Sequence, residues 1–440
     1  MSRSINVSKP MFETSTLYLF EKNFEAFWDI QSDYPDAKAL WYDGSSSIIE
    51  GLFDFVHPKE LIVSHGLDLS KIEKQLPPGI KLCYLPEGPV RAFPVKPTCV
   101  VPSNDTHVHL LQAFRHIYQN IVFVAMREKS EKAFETLEQL KIPALSREIG
   151  KLEPHLYNSL VLANDWGGVE LSLVNHFRKW NVPSVCVQES VIDFNDTFHR
   201  MEWCDYPVIQ GLATLRHLNR NVYFLVGNPR YEKLRVSDLP CRARVLINCN
   251  FTYGIFEEWR EQWISNIVSC CQRLGVEYLI CQHPRDLGDL SGYVSQRSSA
   301  STIHNMILSS TIVVTRFSSL IHESIALGRR VLYYNPHGEL MNYDFEPDQS
   351  HLSIVRDKEQ LYDSLEQLLH CGPSKEDSFY IKYIMRHCGS ADGSASLRLS
   401  KAIETITRCN LDRRPIPWST QFHLKLHSLK AKIKELSRNF

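Results

Sequence analysis

The segment TIVVTRFSSLIHESIALGRRVLYYN, residues 311–335, shows most clearly how secondary structure alternates along this chain. It begins with a short β-branched run that ends near Thr315, and a second apolar run follows Arg330. Between the two runs a helical pattern reaches Leu327, and Gly328 is a typical residue for ending a helix. A strand, a helix and a further strand in this order predict a βαβ unit with parallel strands.

The same alternation of apolar runs and helical patterns extends through most of the chain. The candidate strands are STLYLF, AKALWY, ELIVS, IKLCYL, NIVFVAM, SLVLAN, SVCVQE, ARVLINC, EYLICQ, TIVVT and RVLYYN. Several are continuous apolar runs, which is typical of strands that are buried on both faces of a parallel sheet. Helical patterns such as SEKAFETLEQL and FEEWREQWISNIVSCCQRL lie between them. The sequence therefore predicts an α/β fold with doubly wound parallel sheets.

A charged stretch that holds Gly227, Pro229 and Pro240 separates two such series and is typical of a linker. We therefore expect two Rossmann-like domains, at residues 1–230 and 231–410, and a separate C-terminal segment at 411–440. Open parallel sheets bind ligands at the carboxyl ends of their strands. The strand ends of the two domains are accordingly expected to line a cleft.

Composition excludes several classes of protein. With 49 Lys and Arg against 50 Asp and Glu, the formal net charge is −1, which argues against a nucleic-acid binder. The 12 cysteines form no Cys-x-x-Cys pair, so we expect reduced cysteines, no metal site and a cytoplasmic protein. The sequence also shows no secretory signal and no apolar run of the roughly 18 residues needed to span a membrane.

The C-terminal segment has the pattern of a basic amphipathic helix. Its apolar residues recur at alternating spacings of four and three, and they are Phe422, Leu426, Leu429, Ile433, Leu436 and Phe440. Because lysines stand beside this face, residues 422–440 are a candidate contact for an anionic membrane surface. A helix packed on its own protein, or a coiled coil with a partner, is also consistent with the pattern.

The stretch ICQHPRD, residues 280–286, places His283, Pro284 and Arg285 directly after a predicted strand. Proline fixes the backbone and has no N–H donor, so the chain should leave the sheet here. An imidazole and a guanidinium at a strand end suit a phosphate or pyrophosphate group. The alternative is a turn with a surface histidine.

Ser318 and Ser319 stand between a predicted strand and a predicted helix. Free backbone N–H groups at a helix start favour an anion, and the serine hydroxyls add further donors. Glu323 lies one turn deeper, where it can accept hydrogen bonds from vicinal hydroxyls of a ribose or another sugar. The alternative for Ser319 is a plain helix N-cap.

Two acidic residues follow predicted strands in the first half of the chain. Asp165 comes after SLVLAN, and Glu189 comes after SVCVQ. A carboxylate that is partly desolvated in a cleft can act as a general base or as a nucleophile. The alternatives are a helix N-cap for Asp165 and a surface loop charge for Glu189.

With their order along the chain, these motifs resemble the GT-B glycosyltransferase superfamily. They look most like the bacterial branch that uses cytidine-nucleotide donors for cell-surface polysaccharides. In that branch a His-Pro motif and a later Ser-Ser motif bind the cytidine phosphate, and the matching residues here are His283-Pro284 and Ser318-Ser319. The resemblance covers residues 155–340 well and residues 1–150 by architecture.

The resemblance implies a metal-independent and cofactor-free glycosyltransferase. Residues 1–230 would bind the acceptor and supply a catalytic Asp165 or Glu189, and residues 231–410 would bind the nucleotide donor. The transferred sugar would be Kdo or another ulosonic or nonulosonic acid from a CMP donor, and the acceptor a surface polysaccharide or a lipid-linked glycan. Alternatives are a CDP-glycerol or CDP-ribitol phosphotransferase, a nucleotide-sugar epimerase and a non-catalytic GT-B-like subunit.

Overall fold

The computed structural model describes residues 12–44, 51–86, 96–118, 120–127, 131–194, 199–252, 254–371, 377–389 and 392–408. These residues form two compact units. Unit 1 comprises the described residues of Met1–Glu232 and Asp392–Phe440, and unit 2 comprises those of Lys233–Ala391.

Unit 1 is built on a parallel sheet that has 11 strands among the described residues. The strands are β1 (Thr16–Phe20), β2 (Lys38–Trp41), β3 (Glu60–Ser64), β4 (Lys81–Leu85), β5 (Thr98–Val100), β6 (Ile121–Met126), β7 (Ala144–Arg147), β8 (Ser159–Leu162), β9 (Ser184–Val187), β10 (Tyr206–Ile209) and β11 (Val222–Leu225). Their order in the sheet is β4-β3-β1-β2-β11-β10-β9-β8-β5-β6-β7.

Apolar cores cover both faces of this sheet. Val161 of β8 lies in one core, whereas its neighbours Leu160 and Leu162 lie in another. Successive side chains of a strand point to opposite faces, so a fully apolar run is what a doubly covered strand requires. The covering helices are α1 (Ala26–Asp33), α2 (Leu69–Gln75), α3 (Asp105–Leu111), α4 (Phe114–Ile117), α5 (Glu131–Gln139) and α6 (Gly168–Arg178).

Unit 2 is a smaller sheet of the same kind. Its described strands, all paired in parallel, are β12 (Arg244–Cys249), β13 (Glu277–Gln282), β14 (Ser295–Arg297), β15 (Ile312–Thr315), β16 (Arg330–Tyr334) and β17 (Leu352–Val355). Their order is β14-β13-β12-β15-β16-β17. The helices are α7 (Arg260–Leu274), α8 (Ile303–Leu308), α9 (Leu320–Ala326), α10 (Lys358–Leu369) and α11 (Ser378–Tyr383), and a π-helix follows at Ile384–Cys388.

Each sheet has at least one point at which the strand order reverses. In unit 1 one such point lies between β5 and β8 and another between β3 and β1, and in unit 2 it lies between β12 and β15. The loops that leave two such strands diverge to opposite faces of the sheet, and the crevice between them is where open α/β sheets bind ligands. The carboxyl ends of these strands are therefore candidate ligand-binding positions.

The last described helix, α12 (Ala395–Arg408), belongs to unit 1 and not to unit 2. Its apolar face packs into the core over the sheet of unit 1 through Leu399, Ala402, Ile403 and Ile406. The expected second domain, residues 231–410, therefore differs from the structure at its C-terminal end. The physical reason is that an amphipathic face shows that a helix is packed, but not on which sheet.

The predicted fold class, two α/β units with doubly wound parallel sheets, is confirmed. The short strands β5, β7, β10, β11, β14 and β17 are not among the predicted strands. The predicted C-terminal helix at 411–440, including the candidate membrane contact at 422–440, lies outside the described residues. Within the part of the chain that is described, every helix is too short or too polar to cross a membrane.

Candidate functional site

Asp165 follows β8 and is completely buried. Its Oδ1 accepts a hydrogen bond from the backbone N–H of Met201 at 2.7 Å, and its Oδ2 accepts one each from Trp203 and Cys204 at 2.9 Å. Burial raises the pKa of the carboxyl, while the N–H groups of Cys204 and Met201 oppose the rise. Asp165 thus anchors the chain before β10, and Gly167, not Asp165, is the N-cap of α6.

Asp165 also belongs to a group that has the spacing of metal ligands. One ligand atom each of Asp165, Cys186 and Cys204 lies within 4.8 Å of the others, and all three residues are buried. Burial raises the pKa of the Cys186 thiol well above its usual value. Because both thiols would have to ionise in an apolar surrounding, and the carboxylate already binds three N–H groups, we assign no metal here.

Glu189 follows β9, and its side chain is 25% exposed. Its Oε2 lies 2.7 Å from Nε2 of His107, whose side chain is only 1% exposed. His107 stands in the first turn of α3, where the Asn104 side chain caps the helix by accepting the His107 N–H at 3.0 Å. Since α3 follows β5, this pair lies beside one point of strand reversal in unit 1.

A buried amide network fixes the backbone of Glu189. The carbonyl oxygen of Glu189 accepts a hydrogen bond from Asn228 Nδ2 at 3.1 Å, and Asn228 also donates to Gln210 Oε1 at 2.9 Å. Gln188 Oε1 accepts from the Gln210 N–H at 3.0 Å and from the Thr214 hydroxyl at 2.9 Å. Satisfied buried networks are rigid, so the loop that carries Glu189 is held in one position.

In unit 2, His283 is the first residue after β13, and its N–H donates to the Cys249 carbonyl at the end of β12. Its Nδ1 accepts the backbone N–H of Arg285 at 3.1 Å, so the neutral ring carries its proton on Nε2. Pro284 is exposed, and its carbonyl accepts a hydrogen bond from Arg297 at 2.9 Å. The Arg285 side chain is half-buried.

The turn after His283 is built on a buried carboxylate that the sequence interpretation missed. Asp286 is completely buried and accepts hydrogen bonds from the N–H groups of Phe251 and Gly288. It also forms an ion pair of 2.7 Å with Arg260, at the start of α7. Asp286 therefore ties the loops after β12 and β13 to each other.

Ser318 lies at the reversal point of unit 2. Its Oγ accepts hydrogen bonds from Asn248 Nδ2 at 3.3 Å and from the Leu320 N–H at 3.2 Å. Asn248, the penultimate residue of β12, also donates to Thr315 Oγ1 at 2.9 Å. A side chain of the central strand thus holds the Ser318 hydroxyl in place.

Ser319 and Glu323 are positioned differently from Ser318. Ser319 has helical backbone angles and makes no side-chain cap hydrogen bond, whereas the Ser318 hydroxyl accepts the N–H of Leu320. Glu323 is buried on α9, and its Oε2 lies 2.7 Å from Nε2 of His304. Of this pair His304, a residue of α8, is the more exposed.

The predicted residues thus fall into two groups, one in each unit. His283 and Ser318 follow the two strands that flank β12, so their strand ends lie about 10 Å apart. Glu189 is paired with His107, which is 82 residues away along the chain. The only local sequence signal for His107 is its place three residues after Asn104, a typical N-cap residue, directly beyond a short strand.

No model of a known protein family matches this sequence, and no curated protein matches it either. Solved structures do resemble this one. A Listeria monocytogenes protein assigned as a UDP-N-acetylglucosamine 2-epimerase is 12% identical, with a TM-score of 0.51 over 73% of this chain and 99% of that chain.

Two other structures resemble this chain more weakly. The wall teichoic acid polymerase TagF is 14% identical, with a TM-score of 0.48 over 71% of this chain and 89% of that chain. The spinosyn rhamnosyltransferase SpnG, complexed with thymidine diphosphate, is 12% identical, with a TM-score of 0.43 over 72% and 97%. At 12% identity the likeness to the Listeria structure concerns the fold alone, which consists of parallel-sheet α/β domains.

Proposed function

We propose that the chain is a glycosyltransferase that takes a sugar from a nucleotide-activated donor. In this proposal unit 2 binds the donor phosphate through His283 and Ser318, and Glu189 of unit 1 is the general base that activates an acceptor hydroxyl. The sequence resemblance adds the finer donor class, a CMP-linked ulosonic or nonulosonic acid such as Kdo. It also adds the acceptor class, a surface polysaccharide or a lipid-linked glycan.

The hydrogen bonding of Ser318 carries the proposal. A hydroxyl has one hydrogen to donate and two lone pairs to accept with. Asn248 Nδ2 and the Leu320 N–H both donate to Ser318 Oγ, so its own hydrogen points away from these two groups. A hydroxyl fixed as a donor beside a point of strand reversal suits an anionic oxygen, such as that of a phosphate.

His283 is prepared in the same way on the other side of β12. Because its Nδ1 accepts the Arg285 N–H, the neutral ring donates from Nε2. Donors that are aligned in advance toward developing charge stabilise a departing phosphate without reorganising during the reaction. Two such donors around one strand end support binding of the leaving nucleotide.

Glu189 suits the base that either reaction requires, since transfer of a sugar and transfer of a polyol phosphate both take a proton from an acceptor hydroxyl. A partly exposed carboxylate can remove that proton. Its exposure of 25% and its rigid backbone meet this requirement. The completely buried Asp165 does not, and it has no place in the proposed reaction.

The binding site is tested by calorimetry with CMP, CDP, UMP and UDP. We expect Ser318→Ala to weaken nucleotide binding about tenfold or more, because one hydrogen bond to a charged group is lost. Ser319→Ala is the matched control and should change the affinity less than about threefold. Its hydroxyl makes no cap hydrogen bond and is not oriented by neighbouring donors as that of Ser318 is. Equal affinity of wild type and Ser318→Ala would refute the phosphate role, and selective binding of uridine nucleotides would refute the cytidine class.

The reaction is tested by incubating the protein with CMP-Kdo or with CDP-glycerol and a glycan acceptor. Mass spectrometry of the products then separates sugar transfer from glycerol phosphate transfer. We expect an added ulosonic acid that is absent from the product of Glu189→Gln. A mass increase of glycerol phosphate would show the alternative reaction instead.

A further inference from the structure

We propose that His107 is a positioning residue that holds Glu189 as an ionised base and does not itself take up the proton. The inference rests on the proposed function only where it calls Glu189 a base. The hydrogen-bond arrangement on which it stands belongs to unit 1 alone and can be tested without any substrate.

The protonation state of His107 follows from its two ring nitrogens. Nδ1 accepts the backbone N–H of Ser103 at 3.2 Å, so that nitrogen must present its lone pair. The hydrogen of the neutral ring is therefore on Nε2, which lies 2.7 Å from Glu189 Oε2. His107 donates to the carboxylate, and a hydrogen bond to the charged form of an acid favours that form.

This arrangement prevents a proton relay through the histidine. A relay would require an available lone pair on the nitrogen that faces the carboxylate, and that nitrogen already carries hydrogen. The other nitrogen faces the Ser103 N–H and has no room for a second proton. A proton taken from an acceptor hydroxyl must therefore stay on Glu189, which is the more exposed member of the pair.

Other charged and titratable groups surround the pair. The charge of Glu189 acts on Arg200 and on Cys186, and Asp193 also acts on Arg200. Burial raises the pKa of Cys186 well above the usual value, so its thiol stays neutral near pH 7. Burial lowers the pKa of Arg200, but an arginine starts so far above neutrality that the guanidinium stays cationic. Of the groups named here, His107 contacts the carboxylate directly, with 2.7 Å between Nε2 and Glu189 Oε2.

The step can be written in full. The acceptor oxygen forms a bond to the anomeric carbon of the donor sugar while its hydrogen passes to a Glu189 oxygen. The bond between the anomeric carbon and the donor phosphate oxygen breaks, and its electron pair leaves with the nucleotide. The hydrogen bond from His107 orients Glu189 throughout and carries no proton away.

Two substitutions at position 107 separate the effect of the hydrogen bond to Glu189 from the effect of side-chain size. His107→Gln keeps an N–H donor near the position of Nε2 and does not titrate, whereas His107→Leu has a similar size and no donor. If His107 favours the ionised carboxylate, the acid limb of the pH profile of kcat moves upward by about one pH unit in His107→Leu. His107→Gln should return that limb close to the wild-type position.

The decisive measurement is nitrogen-15 NMR of protein labelled at histidine, because it reports the state of the ring without any transfer activity. The His107 ring, assigned by its loss in His107→Gln, should carry hydrogen on Nε2 and a lone pair on Nδ1. The same ring should respond to Glu189→Gln.

The outcomes distinguish the inference from the function on which it rests. A proton on Nδ1, or identical pH profiles for Gln and Leu at position 107, would overturn the positioning role. If NMR finds hydrogen on His107 Nε2 but the protein transfers sugar from none of the donors, the base role of Glu189 is wrong. The assignment of the hydrogen bond between His107 and Glu189 then still stands.

Discussion

Asp165 and Glu189 end neighbouring strands of the first unit, yet their surroundings give them different chemistry. Asp165 is enclosed and binds three backbone N–H groups, which fastens the segment 201–204 to the end of β8. Glu189 is partly exposed and receives a hydrogen bond from a histidine. For a single residue, the exposure of the carboxylate and its hydrogen-bond partners determine whether it can contact a substrate. That the side chain is acidic does not determine this.

The substitution Asp165→Asn tests this distinction. An amide has one acceptor oxygen, so its NH₂ group would face a backbone N–H that the carboxylate oxygen now binds. We expect the free energy of unfolding to fall by about 1–3 kcal/mol, the cost of leaving a buried donor unsatisfied. Urea denaturation measures this change.

Glu189→Gln is the matched control for Asp165→Asn, because it makes the same chemical change at a partly exposed site. It should leave the unfolding free energy nearly unchanged and abolish transfer. The structural role of Asp165 would be contradicted by the reverse pattern, in which Asp165→Asn is as stable as wild type but inactive.

At the scale of an element, the connection from β13 to β14 depends on close packing around one guanidinium. An added Cβ on Gly288 would overlap the Arg260 guanidinium. That guanidinium is held by the ion pair with Asp286 and by a hydrogen bond of 2.9 Å to Glu257, so it cannot move without losing partners. Asp286 in turn supports the turn that begins at His283, because its N–H donates to the His283 carbonyl at 2.9 Å.

The substitution Gly288→Ala should therefore act on both stability and binding. We expect a loss of about 1–3 kcal/mol in unfolding free energy, as for other overpacked interiors. Nucleotide binding should weaken as well, because the His283 turn loses its support, and calorimetry on the folded variant measures this.

Gly292 lies in the same connection and provides the control. A Cβ at Gly292 would meet no atom within 4 Å. Gly292→Ala should therefore change neither quantity. Equal effects of the two substitutions would show that the loss reflects the loop in general and not the displaced Arg260.

At the scale of the whole molecule, the sequence predicted those features that local pattern controls. Buried parallel strands such as β8 and β15 are continuous apolar runs, so the fold class and the strand ends before Asp165 and Ser318 could be located. By contrast, β14, with the exposed sequence Ser-Gln-Arg, has no apolar signal. The pairing of His107 with Glu189 and the packing of α12 on unit 1 join distant parts of the chain, and no local pattern encodes them.

Buried histidines give the whole protein a predictable response to pH. Burial lowers the pKa of His109, His337 and His387, and it lowers that of His322 well below the usual value. Two of these rings share one network, in which the Tyr343 hydroxyl lies 2.9 Å from His387 Nδ1 and 3.3 Å from His322 Nε2. In the folded protein these four rings stay neutral at a pH where exposed histidines have taken up a proton.

The sign of the pH effect follows from this difference. In the unfolded chain these histidines bind protons below about pH 6.5, whereas in the folded protein they do so only at lower pH. Stability is therefore fully present above about pH 6.5 and falls as the pH decreases from there toward the folded-state pKa values. Each such histidine adds up to about 1.4 kcal/mol per pH unit to the slope.

We expect urea denaturation between about pH 7.5 and pH 5 to show this loss before carboxyl groups begin to titrate. His322→Gln removes one titrating ring, so its stability should depend less steeply on pH, whatever its absolute stability. His370→Gln replaces an exposed histidine of the same unit and should leave the slope unchanged. An unfolding free energy that stays constant from about pH 7 to pH 5 would contradict the assignment, because a ring that is protonated equally in both states contributes no slope.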